Sequence, residues 1–598
     1  TNDILQRLAS LRKVMSHEHI DAYIIPSSDA HLSEYTPEHW KGRRWISGFT
    51  GSAGTVVVTA NKAGLWTDGR YFLQAGQQLE GTSIDLYKEG IPGTPSIEQF
   101  LAAELKAGQT VGIDGRCFPA GAASATESAL DIYGIKLRTD KDLFDEAWRD
   151  RPEIPRGELF VQPVKYAGES VKDKIARVNK ELATQGANAT IITMLDELAW
   201  IFNLRGRDVE CNPVGVAFGY VSARESVLFA FPEKITKEVR SAMEEGGVKI
   251  MPYEAIYEYI PALPAEERLL IDKKRITRAL YDLIPAACRK IDGVSTITAL
   301  KAIKNEQELS GVRAAMVRDG VALTRFFMWL EQEWEAGRNH DEVVLGEKLT
   351  AFRTAQPLYF GDSFDTICGY QDHGAIIHYR ATPESAHVVK REGVLLLDSG
   401  AQYHDGTTDI TRTVALSTPS AELKRNYTLV MKGHIAIATA QYLEGTRGSQ
   451  IDVLARKALW DNGMNYAHGT GHGVGCFLNV HEGPQNIRMD ENPTEMKIGM
   501  ITSNEPGLYR SGKYGIRIEN LVVTKLNVET EFGRFFGFET LTAFYFDNEL
   551  IEKSLLTADE LKWYNDYQQW VYKTLAPELT TEERAWLKEK TQTSKRPH

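Results

Sequence analysis

Two histidines four positions apart, His468 and His472, stand among four glycines in the stretch AHGTGHGVG of a 598-residue chain that has only 14 histidines. Upstream, GVLLLDSGAQYHDGTTDITRTV ends an apolar run in Asp398 and reaches Asp409 after the turn signal HDG. A hairpin there would bring the two carboxylates together. Downstream, GMITSNEPGLYRSGKYGIRIENLVV ends one apolar run with Glu505 and sets Glu519 inside another, next to Ile518 and two residues before Leu521. Burying such a glutamate without a cation or hydrogen-bonding partner is costly.

Taken alone, an aspartate at a strand end caps a turn more often than it binds a ligand. Four carboxylates with the imidazole of His472 are a different matter. They suit two divalent ions of the harder sort, manganese, magnesium or zinc, because copper and iron–sulfur sites want thiolates. Four negative charges then balance two dications. The glycines around His472 let backbone pass close to metal and substrate. Arg517, two residues before Glu519 in a strand-like run, faces the same side and can orient a carboxylate.

The elements that must position these groups lie late in the chain. The first third alternates the helical DILQRLASLRKVMSHEH with short apolar strands in DAYIIP, GTVVVT and GLWTD, which reads as an α/β domain over 1–155. A polar, Pro-containing stretch, WRDRPEIPRGEL, marks its end, and SVKDKIARVNKELATQG followed by ATIITML opens a second domain over 156–317. WISGFTGS from Trp45 and WIFNLRGR from Trp200 match in the placing of Trp, Ile and Gly, which suggests a duplicated unit. Residues 318–598 form the third domain. Its last sixty residues read as amphipathic helices that either pack on the domain or form a subunit interface.

Composition narrows the function. With 42% hydrophobic and 25% charged residues the chain is an ordinary globular protein, and a net charge of −12 argues against a general nucleic-acid or membrane-surface binder. Five scattered cysteines without a CxxC pair suit free thiols in a reducing compartment, hence a cytoplasmic protein. The first residues carry no signal-peptide core, and no apolar run reaches membrane-span length.

The order Asp, Asp, His, Glu, Glu, in DSGAQYHDGTTDITRT, HGTGHGVG, HEGP, SNEPGLY and GIRIEN, resembles the pita-bread metallopeptidases of family M24, which include methionine aminopeptidase, prolidase and aminopeptidase P. The resemblance implies two creatinase-like N-terminal domains followed by a pita-bread catalytic domain, an overall α/β (α+β) fold. It implies that Asp398 binds one metal through both oxygens, that Asp409 and Glu519 bridge two, and that His472 and Glu505 complete the second. His378 in GAIIHYRATPES, His468 and His481 fall where the family keeps groups that orient substrate and stabilise the reacting carbonyl. The remaining His387, His404 and His434 are read as structural or surface groups.

Metal-assisted hydrolysis follows: two cations make a water between them nucleophilic at neutral pH, and it attacks the polarised amide carbonyl. Glu505 is the candidate proton shuttle to the leaving nitrogen, and His378 and His481 share the oxyanion.

Within the family, WISGFTGSAGTVVVT, LWTDGRYFLQA, LDELAWIFNLRG and TAFYFDNELI resemble the long, three-domain aminopeptidase P branch. That branch implies cleavage of the Xaa-Pro bond at a peptide's N-terminus, two divalent ions per chain, manganese with zinc or cobalt as alternatives, and a homodimer. His378 and Tyr379 are expected to help build the proline site. Arg70 in TDGRYF either reaches the cleft or holds a surface salt bridge. Three other readings stand beside this one: a prolidase restricted to Xaa-Pro dipeptides, a peptidase-like binding module without metal ligands, and a creatinase-type amidinohydrolase. The five retained ligand positions count against the last two.

Overall fold

The computed structural model of the protein describes residues 1–593. Its contacts divide the chain into two compact units, Thr1–Val161 with Glu169–Ile297, and Gln162–Gly168 with the chain from Thr298 onward.

The first unit contains two six-stranded sheets. One is built from β1 (Ala22–Ile25), β2 (Thr55–Thr59), β3 (Ala63–Thr67), β4 (Asp85–Lys88), β5 (Thr110–Gly112) and β6 (Lys136–Arg138) in the order β4-β3-β2-β1-β5-β6. The other uses β7 (Ala189–Ile192), β8 (Phe218–Ser222), β9 (Ser226–Phe229), β10 (Val248–Met251), β11 (Arg268–Ile271) and β12 (Arg289–Asp292) in the order β10-β9-β8-β7-β11-β12. In each sheet the first strand pairs antiparallel with the second and parallel with the fifth. The remaining pairings also correspond, so the duplication suggested by Trp45 and Trp200 holds at the level of topology. The central strands are Val- and Ile-rich and buried along their length, as strands covered on both faces must be. Helix Asn2–His17 buries Ile4, Leu8, Leu11, Val14 and Met15, a stripe at helical spacing.

The second unit opens with the long helix Glu306–Glu335, started by a capping box in which Asn305 and Glu308 exchange side-chain-to-backbone hydrogen bonds. A three-stranded antiparallel sheet follows, β13 (Ile367–Tyr370), β14 (Val394–Ser399) and β15 (Ile410–Ala415), ordered β13-β14-β15. A six-stranded sheet contains β16 (Tyr442–Leu443), β17 (Gly471–Gly473), β18 (Glu482–Ile487), β19 (Ile501–Asn504), β22 (Asn520–Thr530) and β23 (Gly533–Thr540). Its order is β16-β23-β22-β19-β17-β18. Between β19 and β22 the chain forms the hairpin β20 (Gly507–Arg510) and β21 (Tyr514–Arg517).

One core joins these layers: Phe327, Leu330, Leu395, Leu397, Tyr427, Ile516, Ile518, Phe544 and Phe546 are all buried within it. The C-terminal helices Ala558–Leu575 and Thr581–Lys590 add Tyr564, Tyr567, Val571, Leu575 and Leu587 to the same core, so this face of them is occupied by packing. Among the described residues, no helix is long and apolar enough to cross a membrane.

Glu482, in the HEGP motif, is buried between two lysines, with Lys301 Nζ and Lys304 Nζ each 2.6 Å from a different carboxylate oxygen. Neutralising one member of a buried ionic group leaves charge without compensation, at a cost of about 3 kcal/mol. Glu482→Gln is expected to destabilise the second unit by about that amount, read as a lower denaturant midpoint at unchanged slope; an unchanged midpoint would show that the triad adds no stability.

Candidate metal centre

The five candidate ligands come from strand ends of the second unit. Asp398 is the penultimate residue of β14, Asp409 immediately precedes β15, His472 is the middle of β17, Glu505 follows β19, and Glu519 lies between β21 and β22. Antiparallel pairing sets Asp398 opposite Thr411, and Thr411 forms an isolated bridge with Glu519. The expected hairpin approach of the two aspartates is realised by this β14–β15 pairing.

Asp409, His472, Glu505 and Glu519 each offer an atom within 4.8 Å of the others. His472 Nε2 is 3.1 Å from Asp409 Oδ2 and 3.5 Å from Glu505 Oε2. Two donors bound side by side to one ion through bonds of about 2.1 Å lie about 3.0–3.4 Å apart, so this spacing suits a shared ion. His472 Nδ1 faces the carbonyl of Gly473 at 2.8 Å. That contact requires Nδ1–H and presents Nε2 to the carboxylates. The neighbouring glycines serve the sheet itself. A Cβ on Gly471 would meet the Ser503 carbonyl oxygen at 2.0 Å, and one on Gly473 the Glu482 carbonyl oxygen at 2.6 Å.

Asp398 lies outside that group of four and is held by Arg517, whose Nη2 and Nε donate to Oδ2 at 2.8 and 3.2 Å. Its other oxygen, Asp398 Oδ1, is buried without a hydrogen-bond partner, and so are Asp409 Oδ1 and Glu519 Oε2. Three carboxylate oxygens buried together without donors suit a cation, since buried acceptors otherwise find donors. The donor set therefore fits two divalent ions.

The electrostatics agree. Burial raises Asp398 to about 7, with Arg517 opposing the rise and Asp409 and Glu505 adding to it. Glu519, buried beside Asp409, Glu505 and Asp398, is held well above the usual carboxylate range. Glu505 is also buried, but a hydrogen bond with Glu519 and the positive charge of His472 bring it down to about 2. Burial opposes protonation of His472, yet its hydrogen bond to Asp409 and the charge of Glu505 lift it to about 9. Crowded together away from water, these carboxylates favour a proton or a cation among them.

Around this centre several residues emerge that the motifs did not single out. Thr411 Oγ1 donates to Glu519 Oε1 at 2.7 Å. Tyr509 accepts from Arg517 Nη1 at 2.8 Å and lies 2.7 Å from His468 Nε2, while His468 Nδ1 faces the Gly469 carbonyl at 2.8 Å. A single chain of hydrogen bonds thus runs from Asp398 through Arg517 and Tyr509 to His468. Burial lowers the pKa of His468, with Arg517 adding to the effect, and this favours the neutral ring with Nδ1–H. Arg412 is buried beneath the site and donates to the Glu519 carbonyl at 2.8 Å, and to those of Phe544 and Tyr545 at 2.8 and 2.9 Å. Only its place in TDITRT hinted at it.

The predicted histidines separate. His481 sits against His472, ring centroids 4.5 Å apart and nearly perpendicular, and can share an ion with Asp409 and His472. His378 is exposed on the loop after β13, in the left-handed region with φ of 60°. Tyr379, expected at the proline site, is buried and donates its hydroxyl to Glu342 at 2.9 Å. Arg70, in the first unit, pairs through two nitrogens with Asp68, each contact 2.8 Å, which is the salt-bridge arm of its reading. His434 is buried, with Nδ1 3.1 Å from the Ile518 carbonyl.

The chain matches models of the creatinase/prolidase N-terminal domain over residues 7–138 and 150–308, metallopeptidase family M24 over 310–525, and the C-terminal region of peptidase M24 over 534–594. It is 41% identical to the probable Xaa-Pro aminopeptidase P of Coprinopsis cinerea, over 99% of this chain and 98% of that one. The chain belongs to metallopeptidase family M24. Aminopeptidase P2 of Arabidopsis thaliana is 42% identical, over 97% of this chain and 88% of that one. Among solved structures, the X-prolyl aminopeptidase of Caenorhabditis elegans, described as a cytosolic enzyme with a di-nuclear active site, superposes with a TM-score of 0.91 at 35% identity, covering 99% of this chain and 100% of that one. The fold of this M24 member is accordingly two creatinase-type domains followed by a pita-bread metallopeptidase domain.

Two outcomes follow for this M24 site. An ion must displace the proton that His472 holds up to about pH 9 and the one that Asp398 holds up to about pH 7. Uptake therefore releases protons, and affinity rises with pH from about 6 to about 8; calorimetry in buffers of different ionisation enthalpy measures both, and an affinity that is flat or falls with pH would contradict it. Tyr509→Phe, which cuts the link between Arg517 and His468, is expected to lower kcat by about 10- to 100-fold with metal content unchanged; loss of metal instead would place Tyr509 in support of the ligands.

Proposed function

We propose that the chain is a metal-dependent aminopeptidase that hydrolyses the N-terminal Xaa-Pro bond, releasing the first residue from peptides with proline in second position. The observation that carries the hydrolytic part is the set of orphaned buried carboxylate oxygens around His472. The names of the full-length relatives support the specificity. Proline in that position has a fixed φ and no N–H, so a site that binds peptides as an added strand cannot grip its amide.

Asp398, Asp409, His472, Glu505 and Glu519 would hold two divalent ions. Ions in that position lower the pKa of water to near neutrality and polarise the scissile carbonyl. Arg517 holds Asp398 in place through Oδ2. Glu505, ionised at neutral pH, would receive the proton of the attacking water and pass it to the leaving nitrogen as the C–N bond breaks. His468, kept neutral and fed by the Tyr509 hydroxyl, orients the substrate, and His481 with His378 supports the developing oxyanion. An oxygen-rich donor set favours manganese, with zinc or cobalt as substitutes. A homodimer in the cytoplasm belongs to the same reading, supported by the family resemblance and by cysteines that form no disulfide among the described residues.

The reading is tested with metal-stripped protein resupplied with manganese or zinc and offered tripeptides carrying proline or alanine in second position. Metal-dependent release of the first residue from the proline peptide alone is expected; cleavage of an Xaa-Pro dipeptide only would make the protein a prolidase, and no hydrolysis with metal bound would make it a binding module. Asp409→Ala and Glu519→Ala are each expected to cost metal and more than about 100-fold in kcat/KM, beyond the loss of an outer group. Near-normal turnover in metal-loaded Asp409→Ala protein would remove that residue from the ligand set.

A further inference from the structure

The helix Ala421–Ala438 carries a buried histidine, His434, that belongs to none of the sequence motifs of the site. Three of its hydrogen bonds end beside a candidate ligand. Nδ1 lies 3.1 Å from the carbonyl oxygen of Ile518, the residue before Glu519, and Nε2 lies 3.3 Å from the amide nitrogen of Asn520, the residue after it. The His434 carbonyl accepts from Asn504 Nδ2 at 3.0 Å, and Asn504 immediately precedes Glu505.

These partners fix the tautomer. A carbonyl opposite Nδ1 requires Nδ1–H. Asn520 Oδ1 accepts from Arg412 Nη2 at 2.8 Å, so the NH2 end of that amide is the one turned to His434, where it meets the lone pair of Nε2. Burial, reinforced by the charge of Arg412, holds the His434 pKa down at about 3, in keeping with a neutral ring. Phe546 and Trp563 pack edge-on around it, centroids 5.6 and 6.1 Å away, and set its plane.

Strand geometry turns these contacts into control of the ligands. Asn504, at the end of β19, and Asn520, at the start of β22, are cross-strand partners, and both side chains reach back to His434. Neighbouring side chains along an extended chain point to opposite faces. Glu505 and Glu519, one step along, are thereby aimed away from the helix and into the group they form with Asp409 and His472. The Ile518 contact holds the backbone on the other side of Glu519.

We propose that His434 is a positioning residue for the metal centre: from behind the strands it sets the aim of Glu505 and Glu519 together, through Asn504 on one strand and Ile518 and Asn520 on the other. The inference rests on the two-ion reading of the five ligands. A phenylalanine in its place keeps a ring among Phe546 and Trp563 but lacks both nitrogens. It leaves two polar groups without a partner and so lowers stability in any case; the decisive readout is the metal.

Equilibrium dialysis of the full chain against manganese, well below the unfolding midpoint of each protein, counts the ions and gives the affinity of the folded form, and kcat and KM on a tripeptide with proline in second position are taken at saturating manganese. Wild type is expected to hold two ions. His434→Phe and Asn520→Leu are each expected to bind manganese about 10- to 100-fold more weakly and to lower kcat with little change in KM; two variants are used so that misfolding of one leaves the other. His434→Asn, whose amide puts a donor where Nδ1–H stood, is expected to recover part of the loss. Folded variants that bind manganese as tightly as wild type and turn over at its rate, with only the unfolding midpoint lowered, would overturn the proposal and leave His434 a packing group. Fewer than two ions in wild type would overturn the two-ion reading itself, and this inference with it.

Discussion

Asp398, Asp409, Glu505 and Glu519 repel one another in a space from which water is largely removed, and the catalytic unit is arranged around that repulsion. Two ionised carboxylates 4 Å apart at an effective dielectric of 20 oppose each other by about 4 kcal/mol. Left alone, the four would swing apart or take up protons, and the rise of Asp398 and Glu519 shows the second response. The fold prevents the first. Strand ends hold the backbones, Thr411 and Arg517 hold individual oxygens, and hydrogen-bond partners remain absent where a cation can be bound.

Such a site is costly to build, and the surrounding unit supplies the rigidity. Thr411 and Glu519 exchange backbone hydrogen bonds across a gap between two sheets, so the three-stranded and six-stranded layers meet at the ligands. Helix Gly448–Trp460 braces the histidine stretch from outside: Arg456, paired with Asp452, donates to the His468 carbonyl at 2.8 Å, and Asp452 accepts from Thr470 at 2.6 Å. Two ion-paired side chains one helical turn apart thus fix both ends of His468–Thr470.

The ligand residues were legible in the sequence because each lies in a short segment with its own signature of apolar strand, glycine and carboxylate. The duplicated first unit was legible faintly, through Trp45 and Trp200. The roles of Tyr509, Thr411, Arg412 and Glu342 were not, because each acts on a partner brought near by the fold: Thr411 and Glu519 are 108 residues apart, Arg412 and Tyr545 133. The Glu342 partner of Tyr379 was hidden for the same reason, since neighbouring His378 in sequence says nothing of Glu342. The glycines of AHGTGHGVG were read as clearance for substrate, whereas at positions 471 and 473 the obstacle they avoid is the next strand.

Arg412 gives the site a property that none of the ligands has. Its guanidinium sits in the interior with carbonyls, the Asn520 amide oxygen and the Tyr567 hydroxyl around it and the Phe546 ring 4.5 Å from its centre. No carboxylate cancels its charge in these contacts, and arginine keeps its proton throughout the accessible pH range. Arg412 therefore contributes a positive charge beneath the site that does not change with pH or with the ion bound. It favours the anionic form of Glu519 above it and weakens the hold on a cation by the same field.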